Sequence, residues 1–188
     1  TTSLDDAKWL DLTIDGADEF DPNLALIKGG GAALLQEKIV ATASDQMIVI
    51  ADAAKGVQQL GAFPLPIEVI PFGWQTTKAL VEETLVSLDV LNRDVTLRMN
   101  GDKPLLTDES NYILDLHLMR IGNPRQMAMV LNQIPGVVEN GLFIDICDIV
   151  VIGHGDGRVV VRDINAGSET AGQIEFAPSD NIFADLGD

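Results

Sequence analysis

Basic residues are scarce in this chain. Twelve Lys and Arg face 29 Asp and Glu among 188 residues, a formal charge of −17. A field of that sign repels phosphate backbones and sets nucleic-acid binding aside. It also repels a small phosphorylated ligand at long range, so a site for one needs placed lysines or backbone N–H groups. Cysteine is almost absent. Cys147 stands alone, which excludes an intrachain disulfide and leads us to expect a reducing, cytoplasmic setting. The two histidines, His117 and His154, are far apart, too few for a zinc set and without a Ser or Cys in triad-like context. No apolar run approaches the roughly 18 residues of a membrane span. The acidic stretch Thr1 to Leu10 lacks the apolar core of a signal peptide, so no membrane partner is expected.

What remains is an ordinary globular composition, 46% hydrophobic, with enough apolar residues for a core. Asp11 to Asp15 predicts a short strand, Ala32 to Ser44 a helix, and Gln46 to Ala51 a buried strand. Strand, loop, helix, strand is the rhythm of a parallel sheet covered by helices. After Pro64 and Pro66 the pattern changes. A strand at Ile67 to Ile70 precedes an amphipathic helix at Thr76 to Leu88. Two alternating strands follow, with Val95, Leu97 and Met99 on one face of the first and Leu114, Leu116 and Leu118 inward on the second. A helix over Pro124 to Ile134 and a last strand at Val137 to Ile144 complete the order β-α-β-β-α-β. The expected class is α/β, a Rossmann-like parallel-sheet domain (1–63 plus 146–162) with an inserted α+β ferredoxin-like domain (64–145). Asp148 to Arg162 predicts a hairpin returning to the first domain. The acidic tail, 163–188, is expected to be disordered or to pack as an irregular strap.

The densest chemical signal is Asp15-Gly16-Ala17-Asp18-Glu19 at a strand end, followed by Lys28-Gly29-Gly30-Gly31. Ligands of α/β proteins gather at carboxyl ends of strands. Adjacent glycines allow close backbone approach and positive φ. The turn opens a helix, whose N–H groups favour an anion, and Lys28 adds a mobile cation beside it. On spacing alone, a solvated turn and a tight loop fit equally well. The glycines match neither a Walker loop nor a dinucleotide fingerprint, and Thr13 and Pro22 occupy ligand positions of a calcium loop counted from Asp11. Glu37 has Ala33, Leu34, Val40 and Ala41 at helical spacing. A carboxylate on that apolar face has a raised pKa and suits a general base, although a surface Glu pairing with Lys38 is the plain alternative. Lys55, after the buried strand, reads by itself as a solvated lysine.

Together these stretches resemble the ribose-5-phosphate isomerase A family. The match runs through DLTIDGADEFDPNLALIKGGGAALLQEKIVATA (Asp11 to Ala43), IVIADAAK, FPLPIEVIP, YILDL and IPGVVENGL, about residues 9–160. The resemblance implies an aldose–ketose isomerase of the pentose phosphate pathway that needs no metal or cofactor. Ribose 5-phosphate and ribulose 5-phosphate would interconvert through an enediol(ate). Glu37 matches the proton-transferring base. Asp15 and Asp18 match the carboxylates that bind sugar hydroxyls and assist ring opening. Gly16, Ala17, Lys28, Gly29, Gly30 and Gly31 match the substrate-binding turn, and Lys55 a further substrate-binding lysine. Family members associate, so a homodimer or homotetramer is implied. The family's Gly-Thr-Gly-Ser/Thr phosphate loop has no counterpart here, so the chain is expected to lack an N-terminal part of the sheet and to be a weak enzyme or none by itself. Two other readings remain: a sugar-phosphate-sensing effector domain of similar fold, and a CoA transferase-like enzyme with a nucleophilic Glu.

Overall fold

The computed structural model describes residues 2–174. In chain order the elements are α1 (Leu4–Ala7), β1 (Thr13–Asp15), β2 (Glu19–Phe20), β3 (Leu26–Ile27), α2 (Leu34–Thr42), β4 (Met47–Asp52) and β5 (Leu65–Val69). Then come α3 (Trp74–Leu85), β6 (Asp94–Leu97), β7 (Met99–Asn100), β8 (Lys103–Pro104), β9 (Tyr112–His117), α4 (Pro124–Leu131) and β10 (Val137–Asn140). The chain continues through β11 (Leu142–Phe143), β12 (Ile149–Gly153), β13 (Arg158–Asp163) and β14 (Ser168–Gln173). The class is mixed α/β.

The first sheet has the order β1-β4-β12-β13-β14. β1, β4 and β12 are parallel, and the hairpin to β13 makes the rest antiparallel. The sheet is therefore mixed, not purely parallel as the strand–helix rhythm predicts. One face carries Met47, Val49, Ala51, Val150, Ile152 and Val160, which pack with Phe20, Leu24, Leu26 and Phe143 into one core. On the opposite face Ile14 and Ile50 are 59% and 56% exposed. β14 overturns the irregular strap expected for the start of the acidic tail. Ser168–Gln173 lacks apolar alternation but hydrogen-bonds along β13 through its backbone, with every side chain exposed. The remainder of that tail, 175–188, lies outside the described residues.

The second sheet is antiparallel, order β10-β5-β9-β6. Leu65, Ile67 and Val69 of β5 and Leu114 and Leu116 of β9 meet Val81 and Leu85 of α3 and Met127 and Leu131 of α4 in a second core. α4 starts with Pro124 in its first turn behind Asn123, whose side chain caps Gln126 N–H. The strand expected over 137–144 is divided. At Gly141 the chain passes from β5 to β3, its N–H donating to Pro66 O at 2.8 Å and its carbonyl accepting from Lys28 N–H at 2.9 Å, an approach that requires glycine because a Cβ there would lie 2.3 Å from the Lys28 carbonyl. β11, β3 and β2 thus form a small third sheet that lashes the Lys28 segment to the antiparallel sheet.

Candidate active site

Asp15 closes β1 at the carboxyl edge of the parallel strands, and its Oδ1 accepts from Gly16 N–H at 2.7 Å. Lys28 follows β3. Its backbone N–H donates to Gly141 O at 2.9 Å, and its side chain crosses under the Asp15 loop. It is only 3% exposed, so the cation expected to be mobile is in fact fixed. Lys28 Nζ donates to Gly16 O at 2.6 Å and lies 3.0 Å from Asp15 Oδ2 and 3.3 Å from Glu37 Oε2. The Phe143 ring lies 5.5 Å beneath the ammonium. Asp18 Oδ2 accepts from Gly30 N–H at 2.8 Å, tying the acidic loop to the glycine turn. Gly29 has φ +105, and a Cβ there would meet Leu34 at 2.8 Å, so the turn requires glycine.

Glu37 projects from the first turn of α2 into this group. It does not pair with Lys38, which turns the other way to Glu139 and the Asn140 carbonyl. Although Lys28 Nζ is 3.3 Å away, Glu37 Oε2 is buried and accepts no hydrogen bond among the described residues. Burial raises the Glu37 carboxyl above its ordinary range. Lys28 opposes that rise, and Asp15 and Asp18 add to it. Asp15, Gly16, Ala17, Asp18, Lys28, Gly29, Gly30, Gly31 and Glu37 together line one open cleft of about 210 Å³. Nine of the ten residues singled out in the sequence therefore meet. Lys55 does not line the cleft; it is exposed, in a single 3₁₀ turn after β4, with Nζ 6.0 Å from the Phe63 ring. Both histidines lie elsewhere, His117 beside Thr96 and His154 beside Arg158.

Sequence reasoning missed three supports. Glu19, inside the DGADE run, is buried and accepts from Gly61 and Phe63 N–H at 2.7 and 2.6 Å, so it anchors the loop. Phe143 floors the lysine. Arg98 reaches the Gly29 carbonyl at 2.8 Å from the other sheet. The signal for Arg98 was the opposite charge of Arg98 and Asp115 on the faces of two neighbouring strands turned away from their leucines.

A carboxylate of raised pKa beside a shared, buried ammonium, at the carboxyl edge of an α/β sheet, is acid–base equipment for moving a proton, the class of site an isomerase uses. Residues 1–157 match the family described as ribose 5-phosphate isomerase A (phosphoriboisomerase A), and the chain belongs to that family. It is 74% identical to the ribose-5-phosphate isomerase A of Ruegeria pomeroyi over 99% of this chain and 71% of the relative. A solved D-ribose-5-phosphate isomerase in complex with phospho-erythronic acid superposes with TM-score 0.78 at 45% identity, over 86% of this chain and 69% of that one. The Plasmodium falciparum ribose 5-phosphate isomerase superposes at 0.77 and 33% identity, over 82% and 66%. Among the described residues no helix is long and apolar enough to cross a membrane, and no cluster of three metal-ligating side chains occurs.

Proposed function

We propose that this chain interconverts ribose 5-phosphate and ribulose 5-phosphate with Glu37 as the base. The observation that carries the reading is Lys28, buried between Asp15 and Glu37 in a cleft where the buried Glu37 Oε2 accepts no hydrogen bond among the described residues. In the open-chain aldose, Glu37 takes the proton from C2. The electron pair forms the C1–C2 double bond, and the carbonyl π pair moves onto O1. Lys28 offsets that negative charge. Proton exchange between O1 and O2, assisted by Asp15 and Asp18, prepares collapse to the C2 ketone, and Glu37 returns its proton to C1. Gly16, Ala17 and the Gly29–Gly31 turn hold substrate hydroxyls, and Lys55, which does not line the cleft, is assigned to the substrate by the family resemblance alone.

Glu37→Gln tests this. Removing a general base costs about 10²–10⁴-fold in rate. Retained turnover would exclude Glu37 as the base, whereas lost turnover with near-normal substrate affinity supports it. The finer architecture belongs to the same proposal. Residues 1–63 with 146–162 form a Rossmann-like domain carrying the site, and 64–145 a ferredoxin-like one, a reading supported by the strand order β10-β5-β9-β6. A homodimer or homotetramer in the cytoplasm is supported by the exposed isoleucines of the first sheet and by a lone, buried thiol.

A further inference from the structure

The Gly29–Gly30 peptide is held at both ends. Its carbonyl accepts from Arg98 Nη1 at 2.8 Å, and its N–H, on Gly30, donates to Asp18 Oδ2 at 2.8 Å. The next carbonyl, Gly30 O, accepts from the same Nη1 at 3.1 Å. A trans peptide points its N–H opposite to its C=O. The Gly31 N–H is therefore turned away from Arg98, and it donates to no group among the described residues. Gly31 lines the cleft, so this is a donor left for a ligand.

Arg98 is itself aimed. It leaves the end of β6, and Asp115 on β9 takes two of its donors in a fork, Nε to Oδ2 at 2.9 Å and Nη2 to Oδ1. The two side chains are only 15% and 16% exposed. The carboxylate neutralises the guanidinium, so the pair adds little field to the cleft. What it contributes is direction, because a planar fork fixes where the third nitrogen points. The same sheet reaches the site's helix a second time. Gln36, beside Glu37 on α2, donates to Glu109 at 2.6 Å, in a loop stapled to buried Glu68 through Thr107 and Asn111.

We infer that Arg98, aimed by Asp115, is a positioning residue for the isomerisation. It sets the Gly29–Gly31 backbone so that Asp18 is held in place and the Gly31 N–H is presented to a substrate oxygen. The inference rests on the acid–base reading of the cleft. A lysine cannot replace the fork, since one ammonium cannot satisfy Asp115 along two edges and still reach both carbonyls.

The experiment compares Arg98→Ala, Arg98→Lys and Asp115→Asn with the parent protein. It reads kcat, KM and Tm, the effect of added methylguanidinium, and amide hydrogen exchange at Gly30 and Gly31. Misplacement by about an ångström costs up to about 10²-fold, so kcat is expected to fall roughly 10–100-fold in Arg98→Ala and Arg98→Lys and less in Asp115→Asn. Exchange at Gly30, whose N–H is held by Asp18, should quicken, while the unbonded Gly31 N–H serves as the fast-exchanging reference. Methylguanidinium should restore turnover to Arg98→Ala without raising its Tm, which a merely structural role would not produce. A kcat and KM within about threefold of the parent overturn the inference, as does a loss that follows the unfolded fraction and resists rescue. If Arg98→Ala does not fold, Arg98→Lys and Asp115→Asn decide by the same kcat and exchange readouts. Glu37→Gln separates the two levels. Active Glu37→Gln removes the acid–base reading, whereas inactive Glu37→Gln beside fully active Arg98 variants removes only the positioning role.

Discussion

Replacing Lys28 by Met keeps the buried stem and deletes the charge that Asp15 and Glu37 share. Each ammonium–carboxylate contact, at 3.0 and 3.3 Å, has a gross attraction of about 5 kcal/mol at an effective dielectric constant near 20. Most of that is offset by desolvation, and breaking a buried pair costs about 3–5 kcal/mol net. The carboxylate side chains are 23% and 28% exposed, so water replaces part of what is lost. We therefore expect about 3 kcal/mol of destabilisation at neutral pH, the low end of that range. The deficit must depend on pH. Burial and the neighbouring aspartates already raise Glu37, and Lys28 is the group that opposes them. Without it the folded-state pKa rises further. A carboxyl raised in the folded state costs nothing below its unfolded value and destabilises increasingly as pH climbs through the folded one. Lys28→Met should thus be close to the parent protein below the ordinary carboxyl value of 4.5 and worst at neutral and alkaline pH. Urea unfolding at pH 4, 6 and 8 measures this, and turnover should fall about 10²–10³-fold for loss of the oxyanion partner. An equal deficit at all three pH values would refute the shared-charge account, as would an acid limb of kcat/KM that moves down instead of up.

Gly29→Ala should destabilise by on the order of 3 kcal/mol, because φ +105 is hostile to a side chain and the new Cβ meets buried Leu34; chemical denaturation with unchanged m would show it. Glu19→Gln sets an NH₂ group against the Gly61 or Phe63 N–H and should cost about 1–3 kcal/mol, while the pH limb assigned to Glu37 stays in place. Cys147 is buried, and its thiol is pushed up to about 12 by that burial, so a thiol reagent should label it only after unfolding.

Periodicity made most long elements legible. α2, α3, α4, β4, β5 and β9 fall within about three residues of their predicted spans, because their apolar residues recur at the spacing of the element or, in β5, run unbroken through it. β2, β3 and β11 are two residues each and have no repeat to read. β14 is held by backbone ladders to β13 and carries no apolar signal. In the site, Glu37 was readable because its helical neighbours are local. The burial of Lys28 was not, since the segments that cover it, Gly141 and Phe143, lie more than a hundred residues away. For Arg98 only the pairing with Asp115 was open to reading. Its partners in the site are the Gly29 and Gly30 carbonyls, which every residue possesses, so nothing in side-chain chemistry announces that contact.

The second face of the first sheet, exposed among the described residues, ties the stability of this chain to its concentration. Register puts Ile14, Ile48 and Ile149 in one row across three strands, and Ile50, Val151 and Val161 in the next. Strands of a parallel sheet are normally shielded on both sides, and a greasy raft of this kind favours whatever covers it. Anything that binds the folded form alone raises apparent stability by mass action. The midpoint of a melting curve for this chain should therefore climb with dilution reversed, from micromolar to tens of micromolar protein, and a dye that brightens in apolar surroundings should compete with the climb. Variants compared at unmatched protein concentrations would differ for reasons unrelated to the substituted residue.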